Sequence, residues 1–467
     1  MSSKPTNKSY LQRPLKPLPA DALLQFNHAL NYFQSGELSI AKIMCEDVVL
    51  KHPKNVDALN LLSVIYSHNK QLDLSLTTIN RAIAIYPMHP DFFFNRGVTQ
   101  EHLLQFDDAI SSFQKALQLR PKYPDALYAL GYIYYRKGQL NLSKNAIDKA
   151  ILYQPNFANA FLTKAFIHLI EGDFQEGFKL YQWRWKSESH DSQQRIFQQP
   201  ILTSQTEIAG KRIFIYGEQG LGDTIQFCRY VTHLSDQGAQ VYLESPGSLL
   251  PILSSLKGCH QLVLQGDAAP DFDYHAPLLE LPAICQTEIH TIPYTQAYLT
   301  NGPDKLMSWN KKLGPKTKPR IGLVWSGNAQ QANDINRSFL LSDLLPLLPE
   351  GFEYFSLQKE VREEDAQSLQ SSTKIQHLGN ELLDFSDTGA LCELMDLVIS
   401  VDTSVAHLSA ALGKRTWVML SLVPDWRWLL EIKDNPWYES VTVYRQTNFR
   451  DWTQVFSDIR KDLLLLV

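Results

Sequence analysis

The residue types best suited to chemistry stand at 396–413. Asp396-Leu-Val-Ile-Ser-Val-Asp402-Thr403-Ser404-Val405-Ala406-His407 runs on into Leu408-Ser-Ala-Ala-Leu-Gly413. Leu397 to Val401 is a short apolar, β-branched run, the pattern of a buried parallel strand. Asp402 then stands where a helix N-cap belongs, and Ser409-Ala-Ala-Leu is good helix sequence closed by Gly413. Such a strand, turn and helix leave the N–H groups of Thr403, Ser404 and Val405 at a positive helix end, which attracts phosphate. His407, one turn further in, is placed to donate to the same anion. The plainer alternative is an ordinary strand–helix unit with a capping aspartate.

Two further turns offer related chemistry. Gly217-Glu218-Gln219-Gly220-Leu221-Gly222-Asp223-Thr224 follows an apolar run and leads into a helix. Its glycine spacing is not the dinucleotide fingerprint, and Gly413-Lys414-Arg415-Thr416 lacks the order of a P-loop. Gly220 and Gly222 still let backbone approach a ligand closely. Asp223 is either a helix cap or a general base that deprotonates an attacking hydroxyl. Trp325-Ser326-Gly327-Asn328 is a small-residue turn able to cradle an anion. Arg337 offers a charged fork for the same anion, and Gln358 and Lys359 close their strand within reach of it.

These turns need elements to hold them. Lys211–Tyr216, Val241–Glu244, Gln261–Leu264 and Tyr274–Leu279 read as strands, with helices at Ile225–Ser235 and Leu249–Leu256 between them. Arg320–Trp325, Tyr354–Leu357, Leu397–Val401 and Thr416–Leu420 repeat the pattern. Strands alternating with helices predict two parallel, Rossmann-like α/β domains, at 211–301 and 319–445, joined by a Gly/Pro-rich hinge at 302–318. A helix is expected over 446–467. Ligands in such sheets bind beyond the carboxyl ends of strands, where all three turns fall.

The first part of the chain is different. Pro53, Pro87, Pro121 and Pro155 lie 34 residues apart, and so do Ala41, Ser75, Ala109 and Ser143. Val48, Ala82, Ala116 and Ala150 keep the same period, as do Tyr32, Tyr66, Gln100 and Tyr134. Gly36, Gly138 and Gly172 mark the turn between helices in three registers. This resembles the tetratricopeptide repeat, with units at 22–55, 56–89, 90–123 and 124–157 and a fifth that decays into Phe178-Lys-Leu-Tyr-Gln-Trp183-Arg-Trp185. That aromatic cluster reads as a seam to the next domain. The solenoid spans 21–186, after a flexible arm at 1–20 and before a polar linker at 187–210. Its concave face is expected to hold a protein or peptide.

Composition narrows the classes. With 44% apolar and 20% charged residues the chain is globular, and no apolar run reaches the length of a membrane span. Residues 1–200 carry 22 basic and 17 acidic side chains, and the remainder 22 and 32, a poor balance for a nucleic-acid binder. Five scattered cysteines without CxxC spacing suit a reducing cytoplasm, and the N-terminus lacks the apolar stretch of a signal peptide.

Glu218-Gln-Gly-Leu-Gly-Asp-Thr-Ile-Gln226, Gly322-Leu-Val-Trp-Ser-Gly-Asn328, Asn336-Arg-Ser338 and Asp402-Thr-Ser-Val-Ala-His407 resemble bacterial glycosyltransferases of the heptosyltransferase-like, GT-B type. With the repeats, the whole is similar in architecture to protein O-GlcNAc transferase and to some flagellin glycosyltransferases. The resemblance implies an all-α repeat solenoid followed by a GT-B pair of Rossmann-like domains. It implies inverting, metal-independent transfer from a nucleotide sugar to a protein hydroxyl, without a cofactor. Asp223 matches the carboxylate proposed as base, and Asp402, Thr403 and His407 match the Asp-Thr-Gly-x-x-His diphosphate motif with Ser404 in place of its glycine. Arg337 falls near a basic phosphate ligand. Asp271-Phe-Asp273 imitates the metal-binding DxD of another transferase class but reads as a loop. Two alternatives stand beside this reading: a non-catalytic scaffold with a degenerate transferase fold, and transfer to a glycan or lipid-linked saccharide.

Overall fold

The structure, a computed structural model, describes residues 18–187, 194–331, 333–430 and 435–466. Residues 1–17 of the expected arm and 188–193 of the expected linker lie outside the described residues.

Ten helices pair off in order: α1 (Ala20–Gln34) with α2 (Leu38–Lys51), α3 (Val56–His68) with α4 (Leu72–Ile85), α5 (Pro90–His102) with α6 (Phe106–Leu119), α7 (Pro124–Arg136) with α8 (Leu140–Tyr153), and α9 (Ala158–Ile170) with α10 (Phe174–Tyr181). Each 34-spaced proline stands two residues beyond the second helix of its pair, where it cannot continue the helix. The small residues are buried at the crossings. Ala41, Ser75, Ala109 and Ser143 are fully buried, and the Ser75 and Ser143 hydroxyls donate to the carbonyls of Ser63 and Gly131 at 2.8 and 2.7 Å. A Cβ on Gly97 would lie 2.6 Å from the Phe113 ring, and one on Gly131 2.8 Å from Ile147, so the helices touch at these glycines.

The turn inside each pair needs a left-handed residue. Gly36, Gly138 and Gly172 take φ of 85°, 71° and 87° there, while Lys70 and Leu104 hold the equivalent positions at 59° and 60°. The fold thus keeps the conformation even where the glycine is missing. Successive first helices lie side by side: Asn95 donates to Asn60 at 2.7 Å, and Ser67 meets His102 at 3.3 Å.

The chain divides into two compact units inside α9. One holds the described residues through Lys164 with Lys186 and Ser187, and the other holds Ala165–Trp185 and the described residues from 194 onward. The second half of the fifth repeat therefore belongs with the sheets, earlier than the expected boundary at 186. The reason is a buried ionic and aromatic contact. Arg184, fully buried, donates to Glu218 at 2.9 Å and pairs with Glu280 at 2.7 Å, while Phe174 and Phe178 pack on Trp426. The aromatic cluster read as a seam thus packs within the second unit, and the division falls before it.

In the second unit, β1 (Arg212–Tyr216), β2 (Gln240–Ser245), β3 (Cys259–Leu264) and β4 (Tyr274–Pro277) form a parallel sheet in the order β3-β2-β1-β4. Helices α11 (Leu221–Phe227) and α12 (Arg229–Asp236) follow β1, α13 (Leu250–Leu253) follows β2, and α14 (Leu281–Ile284) follows β4. The single helix expected over 225–235 is broken at Cys228, and it starts earlier. Residues expected as linker also pack here: Ile201 pairs in parallel with His275, and the Phe197 ring stands 5.9 Å from Phe214.

The expected hinge at 302–318 is largely a helix, α15 (Pro303–Leu313), with Pro303 in its first turn. Its partner is α19 (Phe385–Leu394), where Asp387 accepts from Trp309 at 2.9 Å and Lys305 at 2.6 Å. A second parallel sheet has the order β10-β9-β8-β5-β6-β7. It is built from β5 (Arg320–Val324), β6 (Glu353–Ser356), β7 (Ile375–His377), β8 (Leu397–Val401), β9 (Thr416–Leu420) and β10 (Val441–Arg445). Short β7 and the edge strand β10 carry no continuous apolar run and escaped the sequence reading. Around this sheet lie α16 (Asp334–Arg337), α17 (Leu341–Leu344), α18 (Glu363–Ser371), α20 (Ser404–Ala411) and α21 (Thr453–Leu464). Chain order reverses between β5 and β8, a crevice where parallel sheets bind ligands.

Candidate functional site at the strand ends

The turn after β8 opens directly into α20. Thr403, not Asp402, is the N-cap, and it makes no side-chain capping bond. The first-turn N–H groups of Ser404 and Val405 have no intrahelical acceptor, so they face the crevice as a positive end. Asp402 is mostly buried, its Oδ1 3.9 Å from His407 Nε2. Burial, aided by Asp425, pushes its carboxyl up to about 6 against the pull of Arg337.

His407 sits behind this turn. Its ring stacks on Trp428 at 5.0 Å, and Nδ1 meets the Tyr438 hydroxyl at 3.0 Å. Burial, reinforced by the charges of Arg427, Arg229 and Arg337, holds the imidazole well below its usual value. The ring is neutral at pH 7, and one nitrogen is already engaged. It positions the turn more than it presents a charge.

Helix α11 brings Asp223 to the same place. A Cβ on Gly222 would lie 3.1 Å from His407 Cδ2 and 3.5 Å from Ser404 Cα, so the missing side chain lets α11 and α20 approach. Asp223 is the helix cap that one of its two readings expected. One oxygen accepts the Gly220 N–H at 2.9 Å and caps α11, while the other receives Arg427 Nη2. Burial raises the carboxyl, Arg427 opposes that shift, and Asp425 adds to it.

The Trp325–Asn328 turn departs from expectation. Gln358 Oε1 accepts the N–H groups of Trp325 and Ser326, both at 3.0 Å, and Gln358 Nε2 donates to Ser326 Oγ at 2.6 Å. Ser338 Oγ accepts the Gly327 N–H at 3.0 Å. Three of the four N–H groups expected to cradle an anion are therefore taken. The Trp325 indole is core, donating to Asp365 at 2.8 Å. Gln358 is a brace inside the turn, whereas Asn328 and Lys359 are exposed.

Arg337 is likewise a brace. It donates to the Asp402 carbonyl at 2.8 Å, to Asp334 at 3.3 Å, and to Gln331. Each nitrogen of the fork expected to meet an anion thus has a protein partner, and the fork ties the end of α16 to the Asp402 turn. Asp273 accepts from Arg212 at the amino-terminal end of the first sheet, at 2.8 and 3.0 Å, away from these turns.

The sequence reading missed Asp425, Arg427 and Trp428, which follow β9. Val423-Pro-Asp-Trp-Arg-Trp428 carries a visible signal: charged and aromatic residues just beyond the carboxyl end of a parallel strand. Arg427 Nη1 donates to Asp425 at 2.8 Å, and its guanidinium lies 4.4 Å from the Trp426 ring. Tyr438 was missed because nothing local marks it.

The family described as "TPR repeat" matches residues 105–138, and "Tetratricopeptide repeat" matches 124–157. The chain is 26% identical over 313 residues to Protein FlbA of Caulobacter vibrioides (strain ATCC 19089 / CIP 103742 / CB 15), a match covering 61% of this chain and 51% of that protein. It thus spans about half the length of the curated relative it matches. Among solved structures it is similar to MamA (21% identity, TM-score 0.31, covering 33% of this chain and 91% of MamA). It is also similar to PilW, a "widely conserved type IV pilus biogenesis factor" (24% identity, TM-score 0.34, covering 37% of this chain and 82% of PilW). The chain contains tetratricopeptide repeats, which imply association with other proteins. No described helix is long and apolar enough to cross a membrane.

Proposed function

We propose that this chain is a glycosyltransferase that moves a sugar from a nucleotide sugar to a hydroxyl of a protein held by its repeats. The reading treats the second unit as a GT-B pair of Rossmann-like domains. The β10-β9-β8-β5-β6-β7 order supports the nucleotide side of that pair, since it is the doubly wound 6-5-4-1-2-3 arrangement. One observation carries the proposal: Asp223 at the start of α11 and the open N-terminus of α20 meet at the carboxyl ends of strands from both sheets.

In this mechanism the acceptor hydroxyl attacks the anomeric carbon from the Asp223 side. Asp223 takes the proton, the bond to phosphate breaks, and the configuration inverts. The N–H groups of Ser404 and Val405 face the charge that grows on the departing diphosphate, where stabilisation accelerates the step most. The repeats select the acceptor, and flagellin is the first protein to test because of the motif resemblance.

A second reading, a scaffold without turnover, is favoured by the ion pair that occupies Asp223 and by the satisfied N–H groups of the Trp325 turn. One series separates the two. UDP-, GDP-, ADP- and CMP-sugars are screened by thermal shift, where ligand at 100 times Kd stabilises by about 2.7 kcal/mol. The stabilising donor is then tested for transfer. Asp223→Asn should cut transfer by roughly 10²- to 10⁴-fold, the range for a lost general base, with donor binding kept. Donor binding without turnover in the wild-type chain would establish the scaffold instead.

A further inference from the structure

Arg427 is a charged group of the crevice that the sequence reading missed, and its surroundings are unusual. Its guanidinium is buried between Asp223 on α11 and Asp425 on its own segment. It packs over the rings of Trp426 at 4.4 Å and Phe227 at 5.4 Å. The segment is held from behind. Asn435 donates to the Arg427 carbonyl at 3.1 Å, Arg445 donates to the carbonyls of Trp428, Leu429 and Leu430, and Leu429 takes a left-handed φ of 50°. A strained, braced loop therefore delivers one cation to the carboxylate proposed as base.

One observation shows that this cation is not fully satisfied. Arg427 Nε is buried and has no hydrogen-bond partner among the described residues. Gln226, three residues after Asp223 on α11 and fully buried, leaves both of its amide atoms unpartnered as well. Buried polar atoms are nearly always paired, so the unmet Arg427 Nε calls for a polar partner. Arg337 holds the Asp402 carbonyl, a backbone brace, whereas Arg427 holds two carboxylates that an anion can displace.

We propose that Arg427 is a donor-phosphate ligand for which Asp223 and the diphosphate compete. This rests on the glycosyltransferase reading above and adds a residue and an order of events to it. A diphosphate carries more charge than one carboxylate and matches the planar fork, so it draws the guanidinium from Asp223. Asp223 Oδ1 is thereby released to the acceptor hydroxyl only once donor is in place. The acceptor oxygen then bonds to the anomeric carbon, and its proton passes to Asp223. The electron pair of the broken carbon–oxygen bond goes to the nucleoside diphosphate, against Arg427. The donor binds first, and the base is masked from water until it does.

The test is calorimetric titration of UDP, GDP and ADP into the full chain and three variants. Asp223→Asn should bind the preferred diphosphate more tightly than wild type, by about fivefold, because the competitor is gone. Arg427→Gln should bind it more weakly by roughly 10- to 150-fold. The gain from Asp223→Asn should vanish in the double variant, an outcome that a merely structural role for Arg427 would not produce. If Arg427→Gln does not fold by thermal melting, Arg427→Lys replaces it, and the Asp223→Asn gain should shrink in that background. Diphosphate binding that Asp223→Asn leaves unchanged or weakens, or a gain that survives loss of the fork, overturns the inference alone. A wild-type chain that binds no diphosphate at millimolar concentration overturns the inference together with the reading it rests on.

Discussion

Replacing Gly327 with alanine should unfasten the Asp402 turn from a distance. The added methyl would stand 2.5 Å from Arg337 Nη2 and 2.8 Å from both Cζ and Nε. Gly327 is not among the residues with positive φ, so the conflict is with the guanidinium and not with the backbone. A free arginine would swing aside at little cost. Arg337 cannot do so without releasing the Asp402 carbonyl, Asp334 and Gln331. A hydrogen bond from a charged donor contributes about 1.5–3 kcal/mol, and the bond to Asp402 cannot be remade with solvent in place, so a loss of about 2–3 kcal/mol is expected. Arg337→Ala removes the same brace and should cost about as much. The double variant should cost no more than the worse single, a coupling of about 2 kcal/mol in the cycle. Chemical unfolding followed by tryptophan fluorescence measures the energies. Amide exchange of the segment 396–408 reports the turn itself and should speed up in both single variants. Additive losses, or a neutral Gly327→Ala with unchanged exchange, would refute this account of the brace.

Arg184→Met strips the cation from two buried carboxylates, Glu218 and Glu280, and should destabilise the second unit by about 3–5 kcal/mol. Burial already pushes Glu218 up to about 6, so the loss should be larger at pH 8 than at pH 5 in denaturant titrations. A fragment beginning at 205 should melt well below one beginning at 165 for the same reason. Asp402 supplies a pH prediction. Its folded value, about 6, lies above the usual 3.8, so the folded state holds its proton more tightly. Its contribution is intact below about pH 4 and is lost as pH rises through 6. Asp402→Asn should therefore stabilise the chain at pH 8 by up to about 3 kcal/mol and change little at pH 4, measured by unfolding at both values. In the repeats, Lys70→Gly should raise stability by about 0.5–1 kcal/mol by relieving a left-handed lysine, while Gly138→Ala at the equivalent turn should lower it by about 1 kcal/mol. Equal and neutral effects at the two positions would remove the role assigned to that turn.

The sequence by itself determined the parts of this protein that depend on local rules. The 34-residue period was legible because each helix pair packs on its neighbour through positions repeated in register, so Ala41, Ser75, Ala109 and Ser143 announce one crossing four times. Strands β1, β5, β8 and β9 were legible because a strand covered on both faces must be apolar throughout, and the turns beyond them follow from strand direction. Tertiary structure alone decided how charges meet at those turns. Arg427 finds Asp223 across 204 positions of chain, and nothing in either neighbourhood encodes the pairing. Gln358 fills the N–H groups that the Trp325 turn seemed to offer, and Arg337 grips a carbonyl where an anion was expected. Asp402 yields the cap to Thr403, and the Gly/Pro-rich stretch at 302–318 becomes a helix because Asp387 waits to accept from Trp309 and Lys305. Hydrophobic burial is written as a period that one segment can carry. A polar partnership is a single contact between distant residues, and only the folded chain brings its two halves together.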